Sequence, residues 1–141
     1  MIKAAFFDID GTLLSFKTHR IPASAQQVLD SFHEQGIACV IATGRPTYQM
    51  PDWLFDLGWD AYITLSGQHC FDAGGVYRSC PIDPDDVAVI VDQVAQGRYD
   101  SLCMQGENSF VNRLSERVVT AGNNAGIVYH EEPFDHAFDA P

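Results

Sequence analysis

Three short apolar runs, linked by segments of helical pattern, constrain this chain most. They are KAAFFDI at 3–9, IACVIA at 37–42 and AYITLS at 61–66. Continuous apolar runs of this length suit strands buried on both faces of a parallel sheet. Between the first two, SAQQVLDSFHEQ at 24–35 places Val28, Leu29 and Phe32 at helical spacing, with Pro22 and Ser24 as start signals and Gly36 as a stop. TYQMPDWLFDLG at 47–58 reads as a second helix, with Pro51 in its first turns and Gly58 at its end. The order β-α-β-α-β with tight connections predicts an α/β chain with a Rossmann-like parallel sheet and right-handed crossovers.

The texture changes after Gly67. QHCFDAGGVYRSCPI carries two β-like runs around Ala73-Gly74-Gly75, a hairpin signal. A polar, turn-rich stretch from Pro81 to Asp86 leads into a helix over 83–97, with Val87, Ile90, Val91 and Val94 on one face and Gly97 at its end. SLCMQGENSFVN suggests another hairpin around Gly106-Glu107-Asn108, LSERVVTAGNNAG another helix, and IVYHE a last strand. A domain boundary is expected near Pro81, dividing the chain into 1–80 and 81–141.

Composition narrows the function classes. A chain of 141 residues that is 46% hydrophobic and 19% charged reads as a globular protein about one ordinary domain long. Nothing approaches the ~18 apolar residues of a membrane span. The opening MIKAAFFDID is too short in its apolar stretch for a signal peptide and carries Asp8 and Asp10, so a cytoplasmic location is expected. The net charge of −11 argues against nucleic acid or an anionic membrane as partners. Any phosphate site must therefore be made positive locally. Cys39, Cys70, Cys80 and Cys103 form no C-x-x-C pair; they read as free thiols, Cys39 in the core.

Parallel strands point their carboxyl ends at one crevice, where ligands bind. The first run ends at Asp8-Ile9-Asp10 and the second at Thr43-Gly44-Arg45. Two carboxylates this close repel unless a cation or a shared proton intervenes, and hard oxygen ligands favour Mg2+. DIDGTLL at 8–14 with IATGRP at 41–46 resembles the first and second motifs of the haloacid dehalogenase-like phosphatases. The later texture is similar to their Cof-type subgroup, in which an α/β cap is inserted after the third strand. The resemblance covers 1–80 well and 81–141 in texture only, so 1–80 is expected as the N-terminal half of the core and 81–141 as the first part of the cap.

The resemblance implies that Asp8 is the nucleophile that forms an aspartyl-phosphate and that Asp10 moves the proton. Both would serve Mg2+, Asp8 through its carboxylate and Asp10 through its backbone carbonyl. Gly11 and Thr12 would shape the loop. Thr43 and the Gly44 N–H would hold phosphate oxygens, with Arg45 either joining them at the substrate or pairing with an acidic neighbour. Set against these are plainer readings: D-x-D as a turn or helix cap, and Thr43 as a cap. Ser66-Gly67 stands where the subgroup often has Asn-Gly, a departure. HEEPFDH at 130–136 fits no metal-ligand spacing and reads as a solvated loop, while Trp53, Trp59 and Tyr62 read as core.

The family mechanism also uses a later lysine and a G-D-x-x-N-D-like stretch. Lys3 and Lys17 are the only lysines here, and no such stretch occurs. The expectation is therefore the N-terminal part of an Mg2+-dependent phosphatase of a small phosphorylated metabolite, with self-association through an exposed first strand if the chain truly ends at Pro141. A sugar phosphomutase of the same superfamily, and a metal-binding module without turnover, are the alternatives.

Overall fold

The computed structural model describes residues 2–15, 20–104, 108–125 and 127–134, in two compact units, Met1–Cys80 and Pro81–Pro141. Lys17, the Gly106-Glu107 turn and the Asp135-His136 end of HEEPFDH lie outside the described residues.

In the first unit, β1 (Ala4–Phe7), α1 (Ala23–Glu34), β2 (Ala38–Ala42), a 3-10 turn (Thr47–Gln49), α2 (Asp52–Phe55) and β3 (Ala61–Thr64) follow in order. A second 3-10 turn (Leu65–Gly67) leads into the hairpin β4 (His69–Asp72) and β5 (Gly75–Ser79). The sheet order is β1-β2-β3-β4-β5. β1, β2 and β3 run parallel, with Phe7 opposite Ile41 and Ile41 opposite Tyr62, and the hairpin adds antiparallel strands to β3.

Alternation along the strands sends Cys39 and Ile41 into a core with Ile9, Leu13, Leu14, Leu29, Met50, Leu54 and Trp59. Phe7 packs its ring 5.5 Å from Trp59 and 6.2 Å from Phe32. Burying each large aliphatic side chain contributes about 1.5–3 kcal/mol, and Leu54→Ala would cost roughly 2–5 kcal/mol.

Burial on both faces holds for β2, where Cys39, Val40 and Ile41 are all buried, but not for β1. Phe6 is 63% exposed, because among the described residues the core cluster collects on the Phe7 face alone. The expected helix over 47–58 is also broken in two. Pro51 has no N–H to donate and disfavours helical geometry in the residue before it; Met50 is extended (φ −87°, ψ 137°) and Pro51 stands just outside α2 as its N-cap. The single turn that remains aims Leu54 inward and leaves Trp53 40% exposed, so Trp53 is not core, whereas Trp59 is. β3 stops at Thr64, two residues short of AYITLS, where Leu65 and Ser66 turn left-handed.

The second unit holds α3 (Pro84–Ala95), β6 (Leu102–Met104), β7 (Ser109–Val111), α4 (Glu116–Ala125) and β8 (His130–Glu131). Asp83 caps α3 by accepting the Asp85 N–H at 2.9 Å, with Pro84 at the first helical position. β7 pairs with β6 antiparallel and with β8 parallel. Val94, Phe110 and Phe134 form its core, lined by Val87, Ile90, Val91 and Cys103.

This corrects two expectations. HEEPFDH is not simply a solvated loop: His130 and Glu131 are in β8, and the Phe134 ring stands edge-on to Phe110 at 5.5 Å. The IVYHE strand shrinks to those two residues. Among the described residues no helix is long and apolar enough to cross a membrane.

Candidate active site

Parallel pairing of β1 and β2 brings the residues after Phe7 and after Ala42 to one rim of the sheet. Ile9 is fully buried between two aspartates that are not: Asp8 is exposed and Asp10 half-buried. The apolar anchor explains the two-residue spacing, since driving Ile9 into the core holds both neighbours at the surface. The loop then folds on itself. Leu13 N–H donates to the Asp8 carbonyl at 3.2 Å, Leu14 N–H to Ile9 at 2.8 Å, and Gly11 N–H to Leu14 at 2.9 Å. Gly11 sits at φ +81°, a conformation open to glycine at little cost. Leu13 and Leu14 are buried beneath. Among the described residues, no backbone bond of this loop uses the Asp10 carbonyl.

On the adjacent strand end, Thr43 is buried and donates its N–H to the Ile63 carbonyl at 2.9 Å. Its Oγ1 accepts the Arg45 N–H at 3.1 Å within the loop and caps no helix, since the next helical turn has Pro46 as its N-cap; the hydroxyl keeps its own proton to donate. Gly44 is exposed, and no backbone bond among the described residues uses its N–H. The turn after β3 braces this loop: Ser66 N–H donates to the Thr43 carbonyl and Leu65 N–H to the Arg45 carbonyl, both at 3.1 Å. It does so with Leu65 at φ +50° and Ser66 at φ +55°, each costing roughly 1–2 kcal/mol in a left-handed conformation. A Cβ placed on Gly44 would lie 3.5 Å from the Ser66 hydroxyl, so that hydroxyl borders the Gly44 turn.

Arg45 ties the two strand ends together. Its Nε donates to Asp10 Oδ2 and its Nη2 to Asp10 Oδ1, each at 2.7 Å, while Nη1 donates to the Gln49 carbonyl at 2.7 Å. The hydrogen bond to Asp10, with the charges of Asp10 and Asp8, holds the guanidinium above its ordinary pKa, against the opposing pull of burial. Repulsion between the two aspartates is thus relieved in part by an arginine. Of the two readings open for Arg45, the structure shows the acidic neighbour.

Asp8, Asp10, Gly11, Thr12, Thr43, Gly44 and Arg45 all lie in these two adjoining loops. Gln49 and Leu65, which fix Arg45, were not legible because they act through backbone groups that any residue carries. Among the described residues no three His, Cys, Asp or Glu side chains gather as a metal site. The Asp8 carboxylate and the Asp10 carbonyl are nonetheless two hard oxygen donors, a set that suits Mg2+, which keeps several waters and binds through one or two carboxylates.

Known proteins resemble this chain in sequence and in fold. The family model of haloacid dehalogenase-like hydrolases matches residues 5–137. A Streptococcus pyogenes protein, provisionally named a bifunctional phosphatase/peptidyl-prolyl cis-trans isomerase, is 39% identical over 129 residues, 91% of this chain and 27% of its own length. An HMP-PP phosphatase of an Enterobacter species is 36% identical over 87 residues, 60% of this chain and 32% of its own length. Among solved structures, a HAD subclass IIB sugar phosphatase superimposes with a TM-score of 0.82 at 32% identity, over 96% of this chain and 54% of that one. A HAD phosphatase from Bacteroides thetaiotaomicron does so with a TM-score of 0.84 at 30% identity, over 99% of this chain and 52% of that one. The chain therefore spans about half of these solved structures and a smaller share of the curated relatives. With a match running almost from end to end, and with D-x-D and T-G-R on one rim, the chain belongs to the haloacid dehalogenase-like hydrolase family.

Proposed function

We propose that this chain provides the nucleophile loop and phosphate cradle of an Mg2+-dependent phosphatase that hydrolyses a small phosphorylated metabolite through an aspartyl-phosphate. The observation that carries the reading is the joining of the Asp8–Asp10 and Thr43–Arg45 loops on one rim by the Arg45–Asp10 pair. A carboxylate oxygen of Asp8, exposed at the strand end, attacks phosphorus. The bond from phosphorus to the ester oxygen breaks as Asp10 gives that oxygen a proton. In the second half Asp10 takes a proton from water, water oxygen bonds to phosphorus, and the bond to Asp8 breaks, releasing inorganic phosphate. In this reading the Thr43 hydroxyl and the Gly44 N–H donate to phosphate oxygens. When bound at the Asp8 carboxylate and Asp10 carbonyl, Mg2+ supplies positive charge against the phosphate and the two aspartates.

In this reading Pro81–Pro141 is the first part of a substrate-selecting α/β cap, and the open edge of β1 is a strand-pairing surface. Release of phosphate from p-nitrophenyl phosphate with Mg2+ tests the activity. The expected result is turnover that chelation removes; turnover unaffected by Asp8→Asn contradicts the reading.

A further inference from the structure

The fork of Arg45 faces the wrong group for a phosphate clamp. A guanidinium grips an oxyanion best with two parallel N–H bonds, and in Arg45 the Nε–Nη2 pair that would do this is filled by Asp10 at 2.7 Å on both arms. A third N–H goes to the Gln49 carbonyl at 2.7 Å. The main chain is pinned as well, its N–H by Thr43 Oγ1 and its carbonyl by Leu65 N–H, both at 3.1 Å. The side chain is only 18% exposed, against 39% for Asp10, so the carboxylate is the more open partner of the pair.

We propose that Arg45 is a positioning residue that fixes the Asp10 carboxylate on the rim, leaving the substrate phosphate to Thr43 and Gly44. The inference rests on the phosphatase reading above and assigns Arg45 a place within it. The fork removes the rotational freedom Asp10 would have as a half-exposed side chain, and the Gln49 and Leu65 contacts stop Arg45 from following an incoming anion. Lysine, a single point of charge on a flexible stem, cannot reproduce a two-armed grip.

Two measurements on the protein as encoded test this. In proton–nitrogen NMR without ligand, the Arg45 Nε–H, identified by its absence in Arg45→Lys, should be shielded from exchange with water and freed in Asp10→Asn. Adding inorganic phosphate with Mg2+ should shift the Gly44 amide and leave that Nε–H shielded. Kinetically, Arg45→Lys should lower kcat by about 100-fold, the scale of a misplaced reacting group, with KM little changed. An Nε–H that exchanges freely, or that phosphate displaces as Asp10→Asn does, overturns the proposal. So does a variant whose KM rises while kcat holds. Failure of the phosphatase reading would look different: turnover retained in Asp8→Asn, or a Gly44 amide blind to phosphate, with the ligand-free Nε–H still shielded.

Discussion

At the start of strands β2 and β3, Asp60 accepts the Cys39 N–H at 2.7 Å and lies 3.4 Å from His33 Nε2, while its own N–H donates to the Cys39 carbonyl at 2.9 Å. At the finishing end of β1 and β2, the hold on the Asp10 carboxylate among the described residues is a side chain, the Arg45 fork. Both are carboxylates with a side-chain nitrogen within reach, at the two ends of the same sheet. The difference lies in what holds them. A carboxylate locked to the strand backbone is a fixture of the fold, whereas one held between two loops can be aimed, released and aimed again. Strain follows the same division, since the two left-handed non-glycine residues among those described, Leu65 and Ser66, brace the Arg45 end.

The comparison can be broken most sharply at Asp8. Asp8→Asn should reduce phosphate release by more than ~1000-fold while leaving the unfolding midpoint nearly unchanged, because the side chain is exposed; a parallel loss of stability would make the rim a structural feature. Asp60→Ala should do the reverse. It strips the Cys39 N–H of its acceptor and should cost about 1–3 kcal/mol in urea unfolding, with kcat retained. Ser66→Asn tests the strain. Asparagine tolerates the left-handed region better than serine, so stability should rise by roughly 0.5–1 kcal/mol, and an unchanged midpoint would show that the turn stores none.

The smallest effect belongs to a third carboxylate, Asp100 in the second unit. A hydrogen bond from Ser115, with the Arg113 guanidinium 2.6 Å away, holds it below its ordinary pKa. A carboxylate whose folded pKa is lowered stabilises the fold above its unfolded pKa, and that contribution disappears as pH falls through the folded value. The difference in urea midpoint between wild type and Asp100→Asn should therefore be present at neutral pH and close in acid.

The strands and their chemistry-bearing ends were legible because continuous apolar runs, glycine stops and D-x-D are local signals. Pro51 was legible as a residue but not as a break, since a helix can carry proline in its first turn or stop at it, and only the extended Met50 decides. The left-handed turn at Leu65-Ser66 gave no sign, for neither residue favours that conformation. The Arg45–Asp10 pair spans 35 positions, and the Asp60 clamp 21; such partners are set by the register of β1, β2 and β3. In the second unit, β8 is two residues long, too short for a pattern to bound, and Phe134 is core only because Phe110 meets it.

The most direct measurement is to quench the protein in acid during turnover and map the site of the trapped phosphoryl group by peptide mass spectrometry. The account predicts the mass of one phosphoryl group on the peptide bearing Asp8, and none there in Asp8→Asn. A label on any other residue, or steady turnover through an unlabelled Asp8, would contradict it.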